Sequence, residues 1–146
     1  RPSLSRLAGV QGAMLRLGLP FSFEKQYAYA RFSLADGYKA MERLLETAPD
    51  ITAVFAMSDL MALGAIRALH DHGLRVPQDI SVTGYDGIAL GQYSIPRLAT
   101  IRQGMEQLAV RSAKILLHNI KEPGTAVHEV VPFELIEGES VCKLNP

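Results

Sequence analysis

An α/β fold with a mostly parallel sheet flanked by helices is what this sequence predicts, on three observations. Short apolar runs at residues 51–57 and 80–83 each give way to a polar or acidic group, as strands buried on both faces do. Between them, residues 60–72 carry apolar side chains at helical spacing, so strand, helix and strand make one β-α-β unit. Segments of helical period recur on both sides of that unit, and parallel strands need such crossovers.

The elements follow in order. Ser3 or Ser5 is placed to cap a first helix, where Leu4, Leu7, Val10, Met14 and Leu17 recur at intervals of three and four. Gly18 and Pro20 stop it. Residues 21–31 are ambiguous, with Tyr27, Tyr29 and Phe32 suggesting a short strand that ends in a loop. From Ser33 or Asp36 a helix runs to Thr47, turning Tyr38, Met41, Leu44 and Leu45 inwards, and Ala48-Pro49-Asp50 turns the chain into the first central strand.

Ser58 and Asp59 supply cap chemistry for the central helix, and capping is the simplest role for Asp59. That helix buries either Leu60, Leu63, Ile66 and Leu69 or a neighbouring stripe through Met61, Ala62, Ala65 and Leu69. Its small residues Ala62, Gly64, Ala65 and Ala68 permit close packing, and apolar content on both sides predicts that one face covers the sheet while another meets a second surface. Gly73 ends the helix and Val76-Pro77 turns the chain. Beyond Asp86 come turn residues Gly91 and Pro96, then a short strand at 98–101. Residues 104–120 form a helix with Met105, Leu108, Ala109, Ala113, Leu116, Leu117 and Ile120 in one stripe, ended by residues 121–124. Residues 127–136 are extended, with Val127, Val131, Phe133 and Leu135 on one face, before a turn and a loose tail.

Composition narrows the function classes. Hydrophobic residues at 48% and charged ones at 21% fit an ordinary globular chain with a core. Fifteen basic and fifteen acidic residues cancel, so there is no general attraction to nucleic acid; Arg1, Arg6 and Arg16 are too thinly spread for a phosphate cluster. The lone Cys142 allows no internal disulfide and no thiolate metal cluster. No apolar run is long enough to cross a bilayer, and RPSLSRLAG does not read as a signal peptide. With no initiator Met, the expectation is a piece cut from a larger protein.

In open α/β sheets ligands sit at the carboxyl ends of the strands. Ser58 and Asp59 stand after one strand, Tyr85 and Asp86 after the next; Phe32 follows a third candidate, and Arg6 lies early in the first helix. An arginine and a carboxylate across a cleft can bind a small polyhydroxyl or heterocyclic ligand, and Phe32 could stack on it. Each also has a plain structural role: Ser58 satisfying backbone groups, Asp86 in an Asx-turn with Gly87, Arg6 in a surface ion pair, Phe32 in the core. Catalytic signatures are poor. Gly84, Gly87 and Gly91 do not match a dinucleotide fingerprint, His70 and His72 diverge on a helix, His118 and His128 lack ligand-rich surroundings, and no serine sits in a nucleophile elbow. Binding without catalysis, metal or cofactor fits better.

Read together, RLAG (6–9), ADGYKAM (35–41), TAVFAMSDLMALG (52–64), GLRVPQDISV (73–82), GYD (84–86) and LATIRQ (98–103) resemble the effector-binding domain of lactose-repressor-family bacterial regulators, relatives of the purine, galactose and ribose repressors. The resemblance covers essentially the whole chain. It implies a periplasmic-binding-protein-like fold in which two lobes clamp a small effector, sugar or nucleobase-like. It also implies a cytoplasmic homodimer, with operator DNA read by an N-terminal headpiece outside these residues. On that pattern residues 1–100 are mainly the C-terminal lobe, 101–122 a crossover and one helix of the N-terminal lobe, and 123–146 a return strand and tail; the rest of the N-terminal lobe, and the first helix and strand of the C-terminal lobe, lie upstream. Arg6, Asp86, Ser58 and Phe32 would touch the effector. Leu60, Met61, Leu63, Gly64, Arg67, Ile88, Gln92 and Tyr93 would lie on the dimer surface. Two other classes share parts of the pattern: an extracytoplasmic sugar-binding protein of a transport system, and an α/β enzyme acting on a small sugar.

Overall fold

The structure, a computed structural model, describes residues 2–122 and 127–144. Its elements are α1 (Pro2–Arg16), α2 (Phe23–Gln26), α3 (Leu34–Thr47), β1 (Ala53–Phe55), α4 (Asp59–Asp71), β2 (Ser81–Thr83), a 3-10 turn (Ala89–Gln92), β3 (Thr100–Gln103), α5 (Met105–Lys121) and β4 (Phe133–Ile136). β1 and β2 are parallel, with Val54 opposite Val82. Isolated parallel bridges, Thr83 to Ala99 and Asp86 to Arg102, carry the sheet on to β3, and β4 closes it antiparallel. The sheet is therefore mostly parallel, as the β-α-β pattern predicts.

The core lies between this sheet and the α3–α4 pair. Met41, Ala62, Ala65, Ala68, Leu69, Ile80, Val82 and Leu98 are buried there. Small residues explain how the two helices approach: a Cβ on Gly37 would strike the Met61 backbone, and one on Gly64 would strike the Leu34 carbonyl and the Tyr38 amide. Of the two stripes open to α4, the buried one runs through Ala62, Ala65 and Leu69, joined by Ile66, while Leu60 and Leu63 stay half-buried. Capping sets the helix limits. Ser33 Oγ accepts from the Asp36 amide at 3.1 Å to start α3. At the other end of α4, Gly73 adopts φ 74° and the Gly73 and Leu74 amides reach back to the His70 and Leu69 carbonyls.

Several expectations need correction. α1 begins at Pro2, so Ser3 and Ser5 lie inside the helix and cap nothing; proline suits a first turn, where its missing N–H costs no bond. Leu7, Val10 and Met14 are half-buried, but Leu4 and Leu17 are exposed. No strand forms at Tyr27–Phe32: α2 precedes it, Phe23 stacks on Tyr27 at 4.4 Å, and the extended backbone beyond lacks a ladder partner among the described residues. The strands at 51–57 and 127–136 shrink to three and four paired residues, because the apolar runs outlast the ladder. The α5 stripe is real in sequence yet covers nothing: α5 has no buried residue. Its expected stop at Pro123-Gly124, like Arg1, lies outside the described residues.

Candidate functional site

Polar groups converge where β1 and β2 end. From α1, the Arg6 guanidinium donates to the Met57 carbonyl and to Asp86 Oδ1 at 3.4 Å, and lies 3.8 Å from the centre of the Tyr85 ring. Those three contacts fix both its plane and its position. Arg6 is largely enclosed, with side-chain exposure of 15%, whereas Asp86 keeps 33% open to solvent. Asp86 also accepts from Gln103 Nε2 at 2.9 Å, so β3 supplies a positioning group that the sequence reading missed. The expected strand stopped at residue 101, so nothing in the sequence singled Gln103 out.

Asp86 has an uncommon backbone. Its φ is 118°, a region that L residues rarely adopt, and Gly87 follows at φ 72°. A Cβ at Gly87 would run into Arg102, so the turn is squeezed against β3. A non-glycine residue held there costs on the order of 1–3 kcal/mol and persists only where the surroundings over-determine it. Here the surroundings are the Asp86 amide bonded to the Ile101 carbonyl and the side chain held by Arg6 and Gln103. Burial pushes the Asp86 carboxyl above its ordinary pKa; Arg6 works against that, Asp59 adds to it, and the Gln103 bond opposes it. The site thus offers a fixed cation beside a strained, partly desolvated acceptor. Such a pair suits hydrogen bonding to hydroxyl or ring-nitrogen groups.

The cap expected of Asp59 falls to Ser58. Ser58 is the N-cap of α4: buried, with Oγ accepting from the Met61 amide at 3.3 Å. Asp59 is not the cap. It is the first residue of α4, fully buried, and its carboxylate accepts from the Ile88 amide at 2.7 Å and from the Thr100 hydroxyl. The reason is geometric: its own amide is held by the Tyr85 carbonyl, which turns the side chain towards β3 and the loop after β2. Asp59 thereby pins the segment that presents Asp86.

Phe32 does not join this cluster. It is 53% exposed and lines, with Met57, an apolar cavity on the other side of β1. Of the residues expected at a dimer surface, Gly64 is buried against α3, where a Cβ would strike the Leu34 carbonyl, and Met61 is half-buried beside the core. Leu60, Leu63 and Ile88 are half-buried, Gln92 is partly covered, and Arg67 and Tyr93 are exposed. Among the described residues, no group of three or more His, Cys, Asp or Glu side chains could hold a metal ion, and no helix is long and apolar enough to cross a membrane.

Comparison with known proteins places this arrangement. Residues 1–141 match the periplasmic binding protein-like domain. A probable HTH-type transcriptional repressor of Bacillus subtilis, ExuR, is 38% identical over 99% of this chain and 44% of its own length. The PurR repressor of Serratia proteamaculans is 46% identical over 76% of this chain and 33% of its own. Among solved structures, a complex of the transcriptional regulator CelR with cellobiose superposes with a TM-score of 0.89 at 36% identity, over 94% of this chain and 42% of that one. The chain spans less than half the length of these relatives. The fold is periplasmic-binding-protein-like, the relatives named here are transcription regulators, and the resemblance read from the motifs holds. The chain belongs to the periplasmic binding protein-like domain family, and the regulators named above are what it is similar to within it.

Proposed function

We propose that residues 1–146 sense a small effector for a cytoplasmic transcription regulator, and that Arg6 and Asp86 make the decisive contacts. The supporting observation is the Arg6–Asp86 pair itself: an enclosed guanidinium held by three contacts, against a carboxylate oriented by Gln103 and still open to solvent. Donor and acceptor side by side match a vicinal diol, so a sugar-class effector is the first choice. Relatives with cellobiose or ribose bound in their structures agree with that chemistry. Ser58 and Asp59 act behind this pair, holding α4 and the Asp86 loop in place. Phe32 stacks on the effector only if the segment before α3 closes over the strand ends.

In this reading residues 1–100 are mainly one lobe, 101–122 a crossover and helix that pack on a second lobe, and 123–146 a return strand and tail. The exposed apolar stripe of α5 supports the division, because Leu116, Leu117 and Ile120 need another surface to cover them. Leu60, Leu63 and Arg67 of α4, with Ile88, Gln92 and Tyr93 after β2, form the homodimer surface; Tyr93 is 84% exposed. Operator recognition belongs to polypeptide outside residues 1–146. Effector binding biases the closure of the two lobes and so the affinity for DNA. Calorimetric titration of a full-length regulator carrying this chain, with a panel of aldoses, disaccharides and purine bases, tests the proposal. Heat of binding from a sugar supports it; silence across the panel from folded protein refutes it.

A further inference from the structure

One cation and two carboxylates meet at the strand ends. Arg6 is paired with Asp86, but Asp59 has no cation: among the described residues its carboxylate is met by the Ile88 amide and the Thr100 hydroxyl. Both are neutral donors, so the charge of Asp59 is held by hydrogen bonds and is not cancelled. It sits directly behind the turn that presents Asp86, since a Cβ on Gly84 would strike Asp59 Oδ1. The two carboxylates are close enough that Asp59 opposes the ionisation of Asp86. The strand ends therefore carry one negative charge in excess.

The cation is not free to turn towards an acid. The Arg6 guanidinium is fastened to the Met57 carbonyl, over the Tyr85 ring and to Asp86. A ligand carboxylate or phosphate must either draw Arg6 away from those contacts or lie beside Asp86 without a counter-charge. Neighbouring arginines do not supply one. Arg102 is paired with Glu134 at 3.1 Å, and Arg31 lies in the wall of the apolar cavity beyond β1. Gln103, the other side chain on Asp86, is neutral. A hydroxyl group meets no such penalty, because it donates to the open side of Asp86 and accepts from an Arg6 N–H without adding charge.

We infer that this site selects by charge: it takes uncharged sugars and rejects the same sugars carrying a carboxylate or a phosphate. The inference rests on the reading that Arg6 and Asp86 contact a sugar effector, and it narrows that reading to one class. Its size follows from the charges. Like charges ~4 Å apart in surroundings of effective dielectric ~20 repel strongly enough to weaken binding by well over tenfold. Arg6 offsets part of the repulsion from Asp86, and Asp59 adds to it from behind. At least a tenfold preference for the neutral sugar is the expected result.

The test is calorimetric titration of a full-length regulator carrying this chain with matched sets of probes. These are galactose, galacturonate and galacturonamide; glucose, glucuronate and glucuronamide; and ribose with ribose 5-phosphate. For each parent sugar that binds, the acid or phosphate should bind at least tenfold more weakly. The uronamide has the shape of the acid without its charge, and should bind at least fivefold tighter than the acid. Asp59→Asn removes the charge that no cation cancels, and should narrow the ratio of acid to sugar affinity at least threefold, with circular dichroism reporting on its fold. An acid or phosphate less than tenfold weaker than its parent, an amide as weak as the acid, or an unchanged ratio in folded Asp59→Asn overturns the inference and leaves the sugar reading standing. Silence from every sugar, acid and amide, with the protein folded, removes both.

Discussion

Replacing Asp59 should destabilise the fold well beyond the effect of a lost cap. Its buried carboxylate accepts from the Ile88 amide and the Thr100 hydroxyl, each a bond to a charged acceptor. Such bonds contribute about 1.5–3 kcal/mol apiece, and a donor left buried without a partner costs a further ~1–3 kcal/mol. Removing the carboxylate also returns its desolvation cost, so the net loss for Asp59→Ala is about 3 kcal/mol, within the range for breaking a buried charged network. Asp59→Asn can still accept from Ile88 while its amide donates to the Thr100 oxygen; the loss should be about half as large, since only the charge assistance goes. Urea unfolding is the assay. With a slope of ~2 kcal/mol per molar, the midpoint should fall by about 1.5 M for Asp59→Ala. Adding Thr100→Val to that variant removes one stranded donor and should recover about 1 kcal/mol. If Asp59→Ala unfolds within 0.2 M of the parent (roughly the error of such extrapolations), the network does not hold the loop and the reasoning fails.

Four further outcomes follow from the same structure. Gly64→Ala gains up to ~1 kcal/mol of helix propensity but drives a methyl into the α3 backbone, so thermal unfolding should show a net loss of about 1–3 kcal/mol; a rise in Tm would contradict the close α3–α4 approach. Asp86→Gly relieves the positive φ and should stabilise by about 1 kcal/mol while abolishing effector binding. Because burial raises the Asp86 pKa, the folded chain keeps that proton to a higher pH than the unfolded chain does, so the stability linked to it is present at low pH and lost as pH rises through the raised value; Asp86→Asn should therefore flatten the stability profile across that range. Asp79 has the opposite sign. Arg75 bonds hold its carboxyl down to about 2, so its contribution is present above the ordinary value of 3.8 and lost as pH falls from there towards about 2. Carbon NMR titration of Asp79 should give a midpoint near that lowered value, and an unshifted midpoint would rule the pair out.

Much of the fold was legible because periodicity and punctuation agree in the central unit. SDLMALG places cap chemistry directly before a helix of small residues, and GLRVPQDISV ends that helix and starts the next strand. What escaped was pairing. Residues 27–32 have strand composition, yet strand identity comes from a ladder partner that sequence-local reasoning cannot supply. The same limit explains α5, whose clear stripe says that a surface should be covered without saying by what. Within the site, Asp86 and Arg6 were readable from their place at the strand end and early in α1. That Ser58 and not Asp59 caps α4 was not, because both residues have cap chemistry and the bond from Asp59 N–H to the Tyr85 carbonyl decides which one turns inwards. Gln103 carried no distinguishing signal, and Gly64 was assigned to an outer surface because small residues permit close packing against any neighbour.

The central claim is that the Arg6–Asp86 pair binds the effector. Calorimetric titration of the full-length regulator and its Asp86→Asn variant, with the same sugar and purine panel, tests it most directly. Loss of a charge-assisted hydrogen bond of about 1.5–3 kcal/mol predicts at least tenfold weaker binding of the preferred sugar by the variant, with the fold intact. Equal affinity in the two proteins would contradict the account.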